Sequence, residues 1–504
     1  MRGASGAYRA AAGVAAPLAA GFALRVWMLK EFFDVDGDAL IYGGVAKNLL
    51  LHGRYALAGS GGELYPTLIR LPGYPLFLAL CFKWFGMENY CAAVWVQIGL
   101  DLLGCVLVAE FARRMAPAAT SRSAGLAALW LAALCPFTAS YAVLPLAETP
   151  SLLMLALAMW ALARLGDAPG WGSALWFTLA VTGATLLRPD GALAALAFLP
   201  ALGLTLRQRR GGARRLGRMA AVCALLAAMP FAAWTWRNWR VFQVVQPLAP
   251  RMAVDPGESA NPGWERWVKS WCLDFISTYE IYWNVPGGKL DVSELPGRAF
   301  DSPAQYAETA ELASAYNHHG MELTPEIDAG FGRIAKERIA AHPARYFLAL
   351  PLGRVADMWL RPRVENLPID LDWWVYAHHW QETEFSWAYA GLNAVYLLLA
   401  AAGLRAKPRR RRALLAYMLL RSALLLTVAA PETRYTIECF PMLFALGGVA
   451  ISRMMDAAGR KTAGFGEQAP GVLQTGCNQS LSPGTPEPID TMRIARAEAR
   501  SDQN

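Results

Sequence analysis

Ten apolar stretches separated by short polar connections dominate this chain, and its positive charge is concentrated in alternate connections. A helix needs about 20 apolar residues to cross a bilayer, and a helix is one of only two structures that satisfy their own backbone there. The stretches fall at 10–30, 90–112, 123–144, 148–165, 171–187, 191–206, 217–236, 386–404, 413–430 and 436–454. With the N-terminus inside, the cytoplasmic ends carry Arg113, Arg114 and Arg122, then Arg164, then the run from Arg207 to Arg218. Arg405 and Arg409 to Arg412 follow, and after them Arg453, Arg460 and Lys461. Every strong basic cluster then lies on one side, the distribution that orients membrane proteins. Nine or eleven spans would break it.

Only 17% of the 504 residues are charged and 55% are hydrophobic, yet mean hydropathy is a modest +0.26, so a large part of the chain sits in water. The net charge of +8 does not point to nucleic acid, because the basic residues crowd into connections instead of covering a folded face. No pair among the eight cysteines suggests a disulfide or a metal site. Arg2 and Arg9 precede a run too long for a signal peptide, which makes residues 10–30 an uncleaved first span. Two shorter apolar segments, 74–87 and 346–360, carry Tyr74, Trp84, Tyr346 and Trp359 and are expected to lie in the membrane interface. The expected fold class is an all-α polytopic membrane protein of about 10 transmembrane helices, with interfacial helices and a mixed, mainly helical extracytoplasmic domain. Its divisions are a transmembrane catalytic module at 1–236 with a first outer loop at 31–89, and an extracytoplasmic domain at 237–385 with helices near 303–318 and 325–341. The C-terminal transmembrane helices fall at 386–455, followed by a disordered cytoplasmic tail at 456–504. No inverted repeat of the transporter kind is present.

The outer loops hold the candidate chemistry. Asp34, Asp36 and Asp38 cluster where the first span leaves the membrane, with Gly37 permitting a bend and a helix expected from Asp38 to His52. Asp38 as the N-cap of that helix is the plain structural role; three carboxylates at one membrane exit suggest a general base with a partner for a hydroxyl or a metal. Arg70 stands in a rigid Arg-Leu-Pro-Gly-Tyr-Pro turn, Glu148 begins the fourth span, and Arg188 precedes Pro-Asp-Gly. Glu432, Arg434 and Tyr435 share the last outer loop. Within the second span, Gln97 and Asp101 lie one turn apart and are expected to bond neighbouring helices, since no further intramembrane acids accompany them. His318, His319, His342, His378 and His379 form no metal-ligand spacing by themselves. No cofactor and no metal ligand is assigned, though the loop acids leave room for a divalent ion.

Together these segments resemble the GT-C membrane glycosyltransferases, in the branch of protein O-mannosyltransferases and lipid A aminoarabinose transferases. The resemblance rests on Asp38 to Tyr42 followed by Ala46-Lys-Asn-Leu-Leu-Leu-His-Gly53, on Arg70 to Ala79, and on Ala147-Glu-Thr149. Arg188-Pro189, His342-Pro-Ala-Arg-Tyr346 and Glu432-Thr-Arg-Tyr435 complete it, in the family's order, from residue 20 to about 455. It implies inverting transfer of a sugar from a polyprenyl-phosphate donor to a lipid, glycan or protein acceptor, on the periplasmic face of a bacterial inner membrane and without nucleic acid. Asp38 would be the general base, with Asp36 and Glu148 supporting it. Arg188 and Arg434, then Arg70, would hold the departing phosphate, and Tyr42 and Tyr74 would line the donor path. Ala39 stands where this branch carries an acid, which leaves the substrate open. The alternative is a transporter or flippase for a lipid-linked or polar solute.

Overall fold

A computed structural model describes residues 2–466 apart from 60, 208–212, 251–253 and 259; the expected tail beyond 466 and part of the Arg207–Arg218 run lie outside the described residues. Among the described residues the regular structure is helical, apart from one small hairpin that pairs Ala56–Ala58 with Leu64–Pro66. Each of the ten apolar stretches falls on a helix. Among the described residues seven helices are long and apolar enough to cross a membrane: Ala12–Phe32, Tyr90–Met115, Glu148–Asp167, Pro189–Leu206, Arg214–Phe242, His379–Arg405 and Phe440–Ala458. The pair Ala118–Ala133 and Pro136–Ala142, bent by 56°, makes an eighth if it is counted as one broken span. The remaining two, Trp171–Leu187 and Arg411–Leu425, are 17 and 15 residues long, short of a straight crossing. Helix Gly73–Phe85, with 13 residues, is shorter still.

Two element boundaries that differ from expectation bear on the outer face. The helix Ala213–Phe242 continues past 236, where Arg237 donates to the carbonyls of Tyr55 and Thr67 at 2.6 and 2.8 Å. The helix Tyr376–Arg405 begins well before 386 and contains a kink at His379.

Inside a bilayer there is no apolar driving force between helices, so close packing and internal polar bonds hold them together. The main core joins Phe111 and Met115 of one span to Leu155 and Met159 of another and to Phe440 and Phe444 of the last. A buried ion pair lies beside it. Arg25 is fully buried and its Nε donates to Asp101 at 2.6 Å, while Nη1 donates to the carbonyls of Gly21 and Ala133 at 2.8 and 2.7 Å. Helix Ser121–Ala133 stops just before Pro136, which cannot donate to the preceding turn. Arg25 takes up a carbonyl at that break. Asp101 therefore bonds neighbouring helices, and Gln97 does likewise, receiving the Tyr74 hydroxyl at 2.5 Å and donating to the Leu144 carbonyl at 2.7 Å.

A second core lies between residues 264 and 335, where Trp264, Trp267 and Trp271 pack with Phe331, Ile334 and Tyr316. Its two longer helices, Pro303–His318 and Pro325–Ala341, each start with proline behind a capping hydroxyl. Ser302 accepts from the Gln305 amide and Thr324 from that of Ile327. A hydroxyl cap followed by proline satisfies the helix start and wastes no donor.

The two ends of the bundle differ in charge. At the Asp167 end of helix Glu148–Asp167, Asp167 pairs with Arg114 at 3.1 Å and Arg410 at 2.5 Å. At its other end, Glu148 meets the acids and arginines of the outer loops. About 1.5 Å of rise per residue separates these ends by a bilayer's thickness.

Asp101→Ala should leave the Arg25 charge buried and unpaired and cost about 3–5 kcal/mol. Arg25→Met with Asp101→Leu should recover most of that in thermal unfolding of the detergent-solubilised protein. A single variant as stable as wild type would contradict this account of the pair.

Candidate active site

Helix Gly37–His52 begins one residue earlier than its sequence suggests. Gly37 takes a left-handed φ of +44°, and Asp36, extended at φ −134° and ψ 178°, occupies the cap position without making a side-chain cap bond. Asp38 is therefore not the N-cap; it lies in the first turn, and its carboxylate is free to meet other elements. Oδ1 accepts from Arg70 Nη2 at 2.5 Å and Oδ2 from Arg434 Nη1 at 3.0 Å. Arg70 is placed by the turn that enters helix Gly73–Phe85. At Gly73 a side-chain carbon would come within 2.6 Å of the Leu186 carbonyl oxygen, so only glycine lets this turn sit against the neighbouring helix end.

Arg434 begins the short helix Arg434–Ile437 and pairs through Nε with Glu432, which also accepts from the Tyr435 hydroxyl. The charges continue inward from there. Arg421 donates to the Tyr435 carbonyl at 2.7 Å and pairs with Asp190 and Glu438 at 2.5 and 2.9 Å. Arg188 pairs with Glu438 at 3.0 Å and with Glu148 at 2.5 Å. Two runs of alternating charge thus meet at Tyr435, Asp38 with Arg434 and Glu432 on one side and Arg421, Glu438, Arg188 and Glu148 on the other, and Arg421, Glu438, Glu432 and Glu148 are all buried. Sequence reasoning missed Arg421 and Glu438. Their signal was available, because an arginine inside an apolar run has to find a partner.

A cavity of about 580 Å³ opens at the outer end of this chain of charges. Asp36, Asp38, Arg70, Glu432 and Arg434 line it. Tyr141, Phe275, Tyr279, Trp283, Glu365 and Asn366 line it too, and the sequence singled out none of these. Glu148, Arg188 and Tyr435 stand behind the wall in the ion-pair network. Tyr42 and Tyr74 meet edge to face at 4.9 Å, and Tyr74 is wholly buried in a core with Leu78 and Phe82. The site therefore gathers Asp38 with Arg70 and Arg434, and sets Arg188 one layer back.

Burial of the Asp38 carboxyl favours its neutral form, but Arg434 and Arg70 outweigh it and hold the group below its ordinary range. Glu432 moves the other way, because burial outweighs its pairing with Arg434. Arg434 stays charged throughout, its burial more than offset by Glu432 and the other acids around it. The loop acids do not form a ligand set for a metal, since Asp38 already accepts from two guanidiniums and Asp34 is exposed, bonded to the Val35 amide. Among the described residues, the three groups close enough to share an ion are Asp370, Asp372 and His379, whose donor atoms lie within 4.8 Å of one another.

The folded pKa of Asp38 is depressed, so its pairing stabilises the protein above the unfolded value of 3.8 and is lost as pH falls through the folded value. Arg70→Gln should shrink the acid-unfolding limb below about pH 4, followed by tryptophan fluorescence in detergent. An unaltered limb would argue against the pairing.

Residues 70–234 match the family model described as dolichyl-phosphate-mannose-protein mannosyltransferase. No curated protein sequence matches the chain. Among solved structures, the chain is similar to ArnT from Cupriavidus metallidurans bound to undecaprenyl phosphate, at 14% identity and a TM-score of 0.38 over 90% of this chain and 78% of that one. The apo state of the same protein gives 14% identity and a TM-score of 0.35 over 91% and 79%. The match over residues 70–234 covers Arg70, Glu148 and Arg188 of the motifs on which the sequence resemblance to GT-C membrane glycosyltransferases rests.

Proposed function

We propose that the protein moves a sugar from a polyprenyl-phosphate carrier to a hydroxyl on a lipid, glycan or protein acceptor, with inversion, at the periplasmic face of a bacterial inner membrane. The observation that carries this reading is the Asp38 carboxylate held between Arg70 and Arg434 on the wall of a polar cavity. The basic clusters around Arg114 and Arg410 lie at the opposite end of the bundle, which supports an outward-facing cavity.

In the free protein the two arginines make Asp38 a weak base. A donor phosphate entering the cavity offers them a second anion, and charge-assisted bonds to phosphate compete with those to the carboxylate. As the arginines turn to the phosphate, Asp38 regains basicity next to the acceptor. Asp38 then takes the proton of the acceptor hydroxyl while its oxygen attacks the anomeric carbon from the face opposite the phosphate. The bond from that carbon to the phosphate oxygen breaks, and the carrier phosphate leaves with the electron pair, its charge met by Arg434 and Arg70. Glu432 and Tyr435 fix the Arg434 fork. Arg188 and Glu148 brace the loop behind it and act as positioning residues. Asp36 lines the same cavity two residues before Asp38. Asp101, the acid a transporter would need, is tied to Arg25 and free for no such task.

Asp38→Asn should lower transfer by about 10²–10⁴-fold while the protein inserts and purifies as wild type does. The assay incubates purified protein with a labelled polyprenyl-phosphate sugar and membrane lipids and follows label released from the carrier. Normal turnover by Asp38→Asn would remove the proposed base. Label carried across the membrane still attached to its carrier would favour a flippase.

A further inference from the structure

Three aromatic side chains from one turn form a wall of the cavity. Phe275 and Trp283 meet edge to face at 5.6 Å, and Tyr279 lies 5.7 Å from Trp283. Tyr279 and Trp283 remain 52% and 44% exposed, so broad ring faces stay open beside polar groups. Glu365 lines the same cavity. One of its oxygens accepts from the Tyr141 hydroxyl at 3.0 Å, and the other, Oε2, is buried with no partner. A buried acceptor left unmade is costly, and a ligand that donates to it would remove that cost. Phe275, Tyr279, Trp283 and Glu365 all lie outside the matched segment 70–234, while Tyr141 lies within it.

The donor chemistry links the two features. The Trp283 ring centre is 5.9 Å from the Arg434 guanidinium carbon, the group that meets phosphate in the reading above. A sugar bonded directly to that phosphate comes to rest against the open aromatic faces, the usual apolar side of a site that also has a few fixed polar groups. Resting on that reading, we propose that Trp283 and Tyr279 seat the donor's sugar ring and that Glu365 selects a sugar presenting a hydroxyl or an ammonium group. Glu365 accepts and cannot donate while ionised, so a deoxy sugar at that position leaves Oε2 bare.

The test uses the full chain in nanodiscs with three polyprenyl-phosphate donors: a neutral hexose, an amino sugar and the corresponding deoxy sugar. Bare polyprenyl phosphate serves as the binding probe. Glu365→Gln keeps the shape and turns the orphan acceptor into a donor. It should lower kcat/KM for the preferred donor by about 10- to 100-fold while the bare phosphate binds as tightly as before, a separation that misfolding would not give. Preference for the hexose identifies a hydroxyl, and preference for the amino sugar an ammonium group. Trp283→Ala should show a comparable loss that Trp283→Phe largely restores. Wild-type kcat/KM and donor preference in both Glu365→Gln and Trp283→Ala would overturn this proposal while leaving transfer itself intact. A wild type that transfers from none of the donors would overturn the transferase reading and this one with it.

Discussion

At the cavity end of this protein, two runs of alternating charge, Asp38 with Arg434 and Glu432, and Arg421 with Glu438, Arg188 and Glu148, meet at Tyr435 and are largely withdrawn from water. Removing an ion from water costs several kcal/mol, and a buried partner repays this only with good geometry and further hydrogen bonds. Each arginine here touches more than one acid, and Arg421 also bonds a backbone carbonyl. Moving one member therefore leaves another uncompensated, so the loops that carry them are fixed without a sheet or a disulfide. The outer arginines differ from the inner ones. Arg70 and Arg434 are partly exposed on a cavity wall, where a phosphate can reach them, while Arg421 has no exposed surface at all.

The same distinction separates binding from bracing. Arg188 is rich in partners and belongs to the framework, although by sequence it is as plausible a phosphate ligand as Arg434. Arg434 directs its fork at two different carboxylates, so that in the proposed mechanism it exchanges one of them for an incoming anion while the other holds it in place. A guanidinium can divide its donors in this way, and an ammonium cannot.

The spans were legible because apolar length and clustered arginine are properties of the linear chain. The helices Pro303–His318 and Pro325–Ala341 were legible too, since Ser302-Pro303 and Thr324-Pro325 mark their starts. The order of the outer motifs pointed to Asp38, Arg70 and Arg434, which the structure brings together. Three things could not be read. The cap shifted from Asp38 to Asp36 because Gly37 adopts a left-handed turn that no spacing rule reveals. Arg188 fell behind the wall because its partner Glu438 comes from the turn before the last span, 250 positions along the chain. Glu365 and Trp283 lie in stretches without periodicity, and only folding turns them toward the cavity.

Asp38 and Arg434 come from opposite ends of the polypeptide, 396 residues apart, with nearly every span threaded between them. While the ribosome is still making the protein, the carboxylate near its beginning has one of its two guanidinium neighbours and lacks the other. The pocket closes only when the segment leading into the final membrane helix has arrived. On the function proposed above, an unfinished chain lacks half of the clamp on its base, and synthesis itself would withhold activity until the bundle is complete.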